Sequence, residues 1–424
     1  MKKNKILAGV MIGTILAGLF GLTACGEPPH THTYTTHYVV KTVDSQEKAY
    51  TYTKCDCGTE TELTLIENAV VADPVTAQTV LDGEVNNKVV VLKEGTYGQL
   101  QLRPSKTTST FFKHNYLGGT SPDLQVGDSV TLDYVLEHPD VPYHYFRKFE
   151  NVKIVGEDGV TFTDSIMLNS THVYGSTHTY GFVKYDQVRE ILNPTTNNSH
   201  YPHISVENLS FENLNFSGKQ ALINLYFAIA DSSADGITIK NCNFTTEEAN
   251  TIAAMCFRGE FNVYNNIVVE DCEVDGHFQG VLTYNAKNVT VKNNKIANTS
   301  HNAIAIQSHS AATCFVSGKI VIEDNSISNV IGSYIEGGNY AIDGQRAMRI
   351  GKCTDVEIVV KNNNISNCYE QWIVTGALTG TVSYNFENNY YKGTKMDGKS
   401  ASSEDADFVQ GSTVILYTPE KQAN

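Results

Sequence analysis

The sequence predicts an all-β solenoid, a chain wound into stacked coils, rather than a sandwich or an α/β fold. Three observations carry this. One eight-residue phrase recurs seven times from residue 209 onward. Its apolar positions alternate with the period of a strand. The composition has only 18% charged residues and instead uses Gly, Asn, Thr and Tyr (23 Tyr against one Trp), which favours strands and turns over long helices.

In chain order, the first element is a leader. Lys2, Lys3 and Lys5 precede an uncharged apolar run from Ile6 to Leu22, short for a membrane span and suited to export. It ends in Leu22-Thr23-Ala24-Cys25, which resembles the lipobox of bacterial lipoproteins. The resemblance implies cleavage of residues 1–24 and lipidation of Cys25, which would hold the protein to the outside of a cell membrane without a spanning helix. Loss of the three leader lysines leaves 28 basic against 46 acidic side chains, about −18 in place of −15. That balance excludes nucleic acid as a partner, which needs clustered Lys and Arg.

Residues 25–66 hold a linker and a small β module, in which alternating Thr, Tyr and Val predict two or three short strands. The His30-Thr-His32-Thr-Tyr34 and Cys55-Asp56-Cys57-Gly58 motifs resemble a His-Tyr and Cys-x-Cys-Gly module of Gram-positive gut bacterial surface proteins. Two readings stand for it. Cys55 and Cys57 with His30 and His32 (or His37) would make a four-ligand Zn²⁺ site that staples a module too small for a core. The other reading is a spacer without metal.

The solenoid is expected over 67–424. Val75–Leu81 reads as a short helix capping the first coil, and Val89–Tyr97 as an opening strand and turn. Val152–Gly156 with Val160–Phe162 supplies another early coil. The seven phrases are Leu209–Phe216, Ile237–Phe244, Ile267–Val274, Val289–Ile296, Ile320–Ile327, Ile358–Ile365 and Tyr384–Tyr391. Positions one, three and eight are apolar, position four is Glu or Lys, and position five is Asn or Asp. Residues two apart on a strand face the same way, so positions one and three point inward and the charge points to water. Asn and Asp tolerate the left-handed conformation of a sharp corner. Copies recur every 22 to 38 residues, which makes each one coil with loops of varying length. This pattern resembles the right-handed parallel β-helix of pectate lyases, polygalacturonases and tail-spike proteins. Position six holds Cys242 and Cys272 alongside Leu214, Asn294, Asn325 and Asn363; the two cysteines are either bridged between coils or stacked as thiols. Inserts near 107–147 and 170–203 would wall a groove, and the second is rich in His and Tyr. A last strand is expected at Val414–Tyr417.

A further strand is expected in each coil: Ala221–Leu225, Ala253–Phe257, Gly280–Tyr284, Ala303–Gln307, Ala347–Gly351 and Trp372–Gly376. With Ile304, Ile306, Met348 and Ile350 inward, Tyr284, Gln307 and Arg349 face out, and His277 and His301 lie just before these strands. The resemblance places sugar chemistry on one long face. Arg349, His301, Tyr284 and His277 are the candidate catalytic residues, with Arg346, Gln307, Arg258 and Trp372 as substrate-binding partners. Arginines suit a uronate carboxylate and the charge that develops when the adjacent carbon loses a proton; His or Tyr would be the base. Asp275, Asp343 and Glu336 are available to a hydrolase or to Ca²⁺ in the groove. The signature motifs of the main pectate lyases and of polygalacturonases are absent. Two function classes therefore remain: a surface lipoprotein that binds and cleaves a uronic-acid polysaccharide, and a noncatalytic adhesin or glycan-binding protein on the same scaffold.

Overall fold

The computed structural model describes residues 33–55, 57–103, 110–113, 129–130, 143–169, 201–227, 233–247, 252–259, 263–308, 316–330, 346–368, 373–375, 378–391, 394–395 and 414–415. Cys25, His30, His32, Trp372, Glu336, Asp343 and nearly all of the second insert lie outside them.

The first five positions of each phrase do what their chemistry dictates. All seven position-five residues, from Asn213 to Asn388, have φ between 50 and 57°, and each turns the chain from one sheet to the next. Repetition of that corner gives three long sheets, parallel except at their ends, in which each strand pairs with its counterpart one coil away. The first sheet runs through Val89–Leu92, Tyr143–Gly156, Tyr201–Glu212, Ser233–Lys240 and onward to Leu378–Glu387. The second carries short strands from Gly95–Tyr97 to Tyr390–Tyr391. The third runs from Leu100–Leu102 through Ile223–Phe227, Ala253–Gly259, Gln279–Tyr284 and Ile304–Gln307 to Met348–Ile350 and Ile373–Thr375. This is an all-β architecture of parallel sheets, as a β-helix requires. A six-residue helix, Ala77–Asp82, replaces the expected 75–81 helix, with Ala77 and Leu81 buried. The first insert is less loop than its composition predicts. Thr110–Lys113 and Ser129–Val130 pair antiparallel, and the former joins residues 143–146 of the first sheet. Val414–Ile415 pairs antiparallel with Ile373–Thr375.

The interior is a set of columns. Phe162, Phe216 and Phe244 stack ring on ring at 5.0 and 4.6 Å, continued by Tyr97 at 5.2 Å from Phe162. On the first sheet's outer side, position four alternates Glu and Lys from coil to coil. Lys240 pairs with Glu270, Lys292 with Glu323 and Lys361 with Glu387, at 2.7–3.2 Å, and Lys153, from position two of the preceding coil, reaches Glu212 at 2.8 Å. Such exposed pairs contribute at most about 1 kcal/mol each; their main effect is on register, because a slip by one coil sets like charges side by side.

Position six points inward and forms the most polar part of the core. Asn294, Asn325, Asn363 and Asn389 are all buried. Each amide nitrogen donates to a strand carbonyl (Val269, Val291, Ile322 and Val360, 2.8–3.1 Å), and each amide oxygen accepts the backbone N–H one coil earlier. Cys272 and Cys242 continue the column as free buried thiols, with Sγ–H directed at the carbonyls of Glu270 and Lys240 at 3.2 and 3.3 Å. The stacked-thiol reading is the one found.

The N-terminal module is a hairpin, Tyr34–Val43 with Gln46–Cys55, joined by Thr64–Leu65. It lies against the early coils. Tyr38 and Ala49 pack on Val91 and Val155. The Tyr38 hydroxyl donates to Glu212 Oε2 at 2.7 Å, the Val40 N–H to Glu157, and Asn213 Nδ2 to the Thr36 carbonyl. Tyr38→Phe is expected to weaken this seat by about 1.5–3 kcal/mol, the range for a hydrogen bond to a charged group. In hydrogen exchange, amides of 34–55 should lose protection while those of 237–365 keep theirs; uniform loss would show that hairpin and coils unfold as one unit.

Candidate functional site

The outer side of the third sheet collects most of the expected residues. In-register pairing sets Tyr226, Arg258, Tyr284 and Gln307 in one column, and Asn224, Cys256, Leu282, Ala305 and Arg349 in the next. The outward orientation of Tyr284, Gln307 and Arg349 follows from their inward neighbours Thr283, Ile306 and Ile350, as alternation predicts. Arg258 lies between two tyrosines on adjacent coils, its guanidinium carbon 5.3 Å from the Tyr226 centroid and 5.4 Å from that of Tyr284. Cation–π contact on both faces fixes the guanidinium and the rings together. Tyr284 also has a side-chain hydrogen bond with Gln307.

Arg349, Arg346 and His301 form the electrostatic centre. Arg349 is half-buried and makes no ion pair with the described residues; burial, then the Arg346 charge, lowers its pKa. His301 is pushed down to about 4, first by burial and then by Arg349 and Arg346, so the ring is neutral at physiological pH. Burial is also the main cause of the raised Tyr284 pKa, which keeps the phenol protonated. The His301 ring stacks on Phe278 at 4.8 Å. Its Nδ1 is held by Gln279 Nε2 at 3.1 Å and Asn302 Nδ2 at 2.5 Å. With two amide nitrogens donating to Nδ1, the ring proton belongs on Nε2, and the ring presents a donor. Turned amides would instead leave the Nε2 lone pair free for a base. The sequence reading missed this clamp; Gln279 and Asn302 flank the candidate histidines without any motif to mark them.

His277 does not join the groove. It is fully buried and meets Phe244 edge-on at 6.4 Å, where it extends the interior aromatic stack beyond the small Val274. Gly276, at φ 86°, resets the chain between strands, so alternation counted from the next strand does not reach His277. Burial pushes its pKa down to about 4 from an ordinary 6.5. The unfolded chain therefore takes up a proton between about pH 6.5 and pH 4 that the folded chain declines, and stability drops as pH falls across that window by on the order of 3 kcal/mol. His301, pushed down to about 4 as well, adds a like contribution, so His277→Phe should remove about half of the combined slope. Urea midpoints at neutral pH and near pH 4.5 test this; an unchanged slope would move the acid sensitivity elsewhere.

Of the zinc candidates, Cys55, Cys57 and His37 lie among the described residues, and His30 and His32 do not. Among the described residues no three His, Cys, Asp or Glu side chains gather as metal ligands. Cys55 is buried, Cys57 is exposed with Sγ 3.2 Å from Thr59 Oγ1, and His37 is engaged by Asp158 at 2.9 Å and Thr35 at 2.9 Å. Of the Ca²⁺ candidates, Asp275 lies on the second sheet, not in this groove, and accepts from Asn298 Nδ2 at 2.6 Å. The fold and site together define a parallel β-solenoid protein with a cationic, tyrosine-lined outer face. Comparison with known protein families, curated proteins and solved structures finds no match.

Proposed function

We propose that this is a lipid-anchored protein of a bacterial cell exterior that binds a uronic-acid polysaccharide along its third sheet. The observation that carries the reading is the half-buried Arg349, with no ion-pair partner among the described residues and Arg346 close by, on a face that also offers tyrosine rings. A buried-side guanidinium without a counter-charge favours a carboxylate ligand, and its planar fork matches one. The lipobox-like Leu22–Cys25 supports the anchor, and the repeat supports a right-handed coil of the pectate-lyase type.

Cleavage by β-elimination is the reaction the same groups would serve. Arginine would neutralise the uronate carboxylate and the charge that builds on it as the neighbouring carbon loses its proton. Tyr284 or His301 would exchange protons with that carbon and with the departing glycosidic oxygen, leaving a carbon–carbon double bond in the sugar. The occupied Nδ1 of His301 and the protonated Tyr284 favour a second reading, a binder without turnover. Incubation with a panel of uronic-acid polysaccharides separates the readings through affinity and the ultraviolet absorbance of unsaturated ends. Product from any polymer supports the lyase. Binding without product supports the adhesin. Neither binding nor product removes the uronate reading.

A further inference from the structure

A second cleft, of about 420 Å³, opens where the hairpin meets the corner between the first and second sheets. Its floor is a grid from three successive coils. One column holds the corner residues Asn213, Asn241 and Asp271; the other holds Asn215, Asn243 and Glu273 at the start of the second-sheet strands. His37 and Asp158 form the wall on the hairpin side.

The hydrogen-bond account of this grid decides its chemistry. Asn213 Nδ2 is spent on the Thr36 carbonyl, Asn215 Nδ2 on the Val160 carbonyl and Asn241 Nδ2 on Asn213 Oδ1. Asp271 Oδ1 accepts from Asn293, and Glu273 Oε1 pairs with Lys295. Among the described residues, what remains open is mostly acceptor: Oδ1 of Asn215 and Asn241, Oε2 of Glu273, and both ends of the Asn243 amide. The lining carries four carboxylates, Glu157, Asp158, Asp271 and Glu273. Lys295 pairs with Glu273, and Lys240, shared with Glu270, stands 3.4 Å from Asp271, while Asp158 faces the His37 ring and Glu157 accepts the N–H groups of Val40 and Glu94. The balance is negative, the reverse of the arginine face.

We propose that this cleft is a binding site for the hydroxyl groups of a neutral sugar. Planar amides and carboxylates at coil spacing accept from vicinal hydroxyls, Asn243 supplies both a donor and an acceptor, and the volume is that of a small-ligand pocket. A uronate is repelled here and a neutral glycan is not, so the two faces divide their ligands by charge.

Saturation-transfer NMR of the full chain with cellotetraose, mannotetraose and galactotetraose tests this. At least one of them should receive saturation. Asn243→Ala, which removes a half-buried amide with no side-chain hydrogen bond among the described residues, should weaken it tenfold or more, and Glu273→Gln should weaken it less. Arg349→Ala should leave it unchanged, which separates this site from the uronate reading. The proposal is overturned by no transfer to any of the three, by wild-type affinity in both cleft variants, by loss in Arg349→Ala, or by a response to calcium chloride with none to sugar.

Discussion

Asn325→Ala is expected to lower stability by about 3 kcal/mol, because it breaks a buried polar column in the middle. The Asn325 amide makes four bonds there. Its Nδ2 donates to the Val291 carbonyl and to Asn363 Oδ1, both at 2.9 Å, and its Oδ1 accepts the N–H and Nδ2 of Asn294, both at 3.0 Å. Truncation strands the Val291 carbonyl and the Asn294 N–H away from water, and a buried unsatisfied group costs about 1–3 kcal/mol. A methyl-sized residue also leaves a gap between coils. Leu214, at the other end of the column, shows that apolar filling works only where no asparagine above or below depends on it. Cys272→Asn provides the converse test. The new amide would extend the column by one coil, donating to Asn294 Oδ1 and to the Ile239 carbonyl that Cys272 Sγ now approaches at 3.8 Å. It should be neutral or stabilising. Urea midpoints of the two variants decide the matter; equal destabilisation by both would mean that the column tolerates only its native residues and that hydrogen bonding is not what selects asparagine.

That column also shows how far the sequence reaches. Asn294, Asn325, Asn363 and Asn389 share position six of the repeat, so the ladder is visible in the alignment of the chain on itself. That it points inward is not, because the left-handed residue at position five turns the chain and breaks the period-two count. The corner residues themselves are legible, since few residue types accept that conformation. A second left-handed column is not. Asn151, Asn208, Asn266, Asn288 and Asp355 have positive φ partway along the first-sheet strands, and Gly236, Gly318 and Gly380 take the remaining coils. A Cβ at Gly236 would come 2.5 Å from Asn208 Oδ1, so glycine fits where the stacked asparagine leans over it. On the third sheet the strand at Ala253 starts where expected and that at Gln279 one residue early, while others start one or two residues late, as at Ile223 instead of Ala221, where buried apolar residues continue through the bend before pairing begins. The site divides along the same line. Tyr284, Gln307 and Arg349 lie inside regular strands, where alternation is reliable. His277 lies at a bend and belongs to the core.

Arg349→Ala should reduce uronan affinity by about a hundredfold, since about 2.7 kcal/mol falls at the low end of what breaking a desolvated charge pair costs. Arg349→Lys keeps the charge and loses the planar fork, so it should recover only part of the loss. A structural role alone would not discriminate between these substitutions in that way. The same variant reports on the site without any ligand. His301 is depressed mainly by burial and secondarily by the charges of Arg349 and Arg346. Removing Arg349 should therefore move the His301 titration upward from about 4, part of the way toward 6.5, in histidine-selective NMR. An unmoved His301 would place Arg349 too far away to share a ligand with it. His301→Ala then separates binding from chemistry. If the ring is a base or acid, product formation should fall by about 10²–10⁴ with affinity nearly kept. If the clamp by Gln279 and Asn302 holds Nε2 as a donor, affinity falls by the value of one hydrogen bond, about tenfold or less, and no unsaturated product forms from either protein.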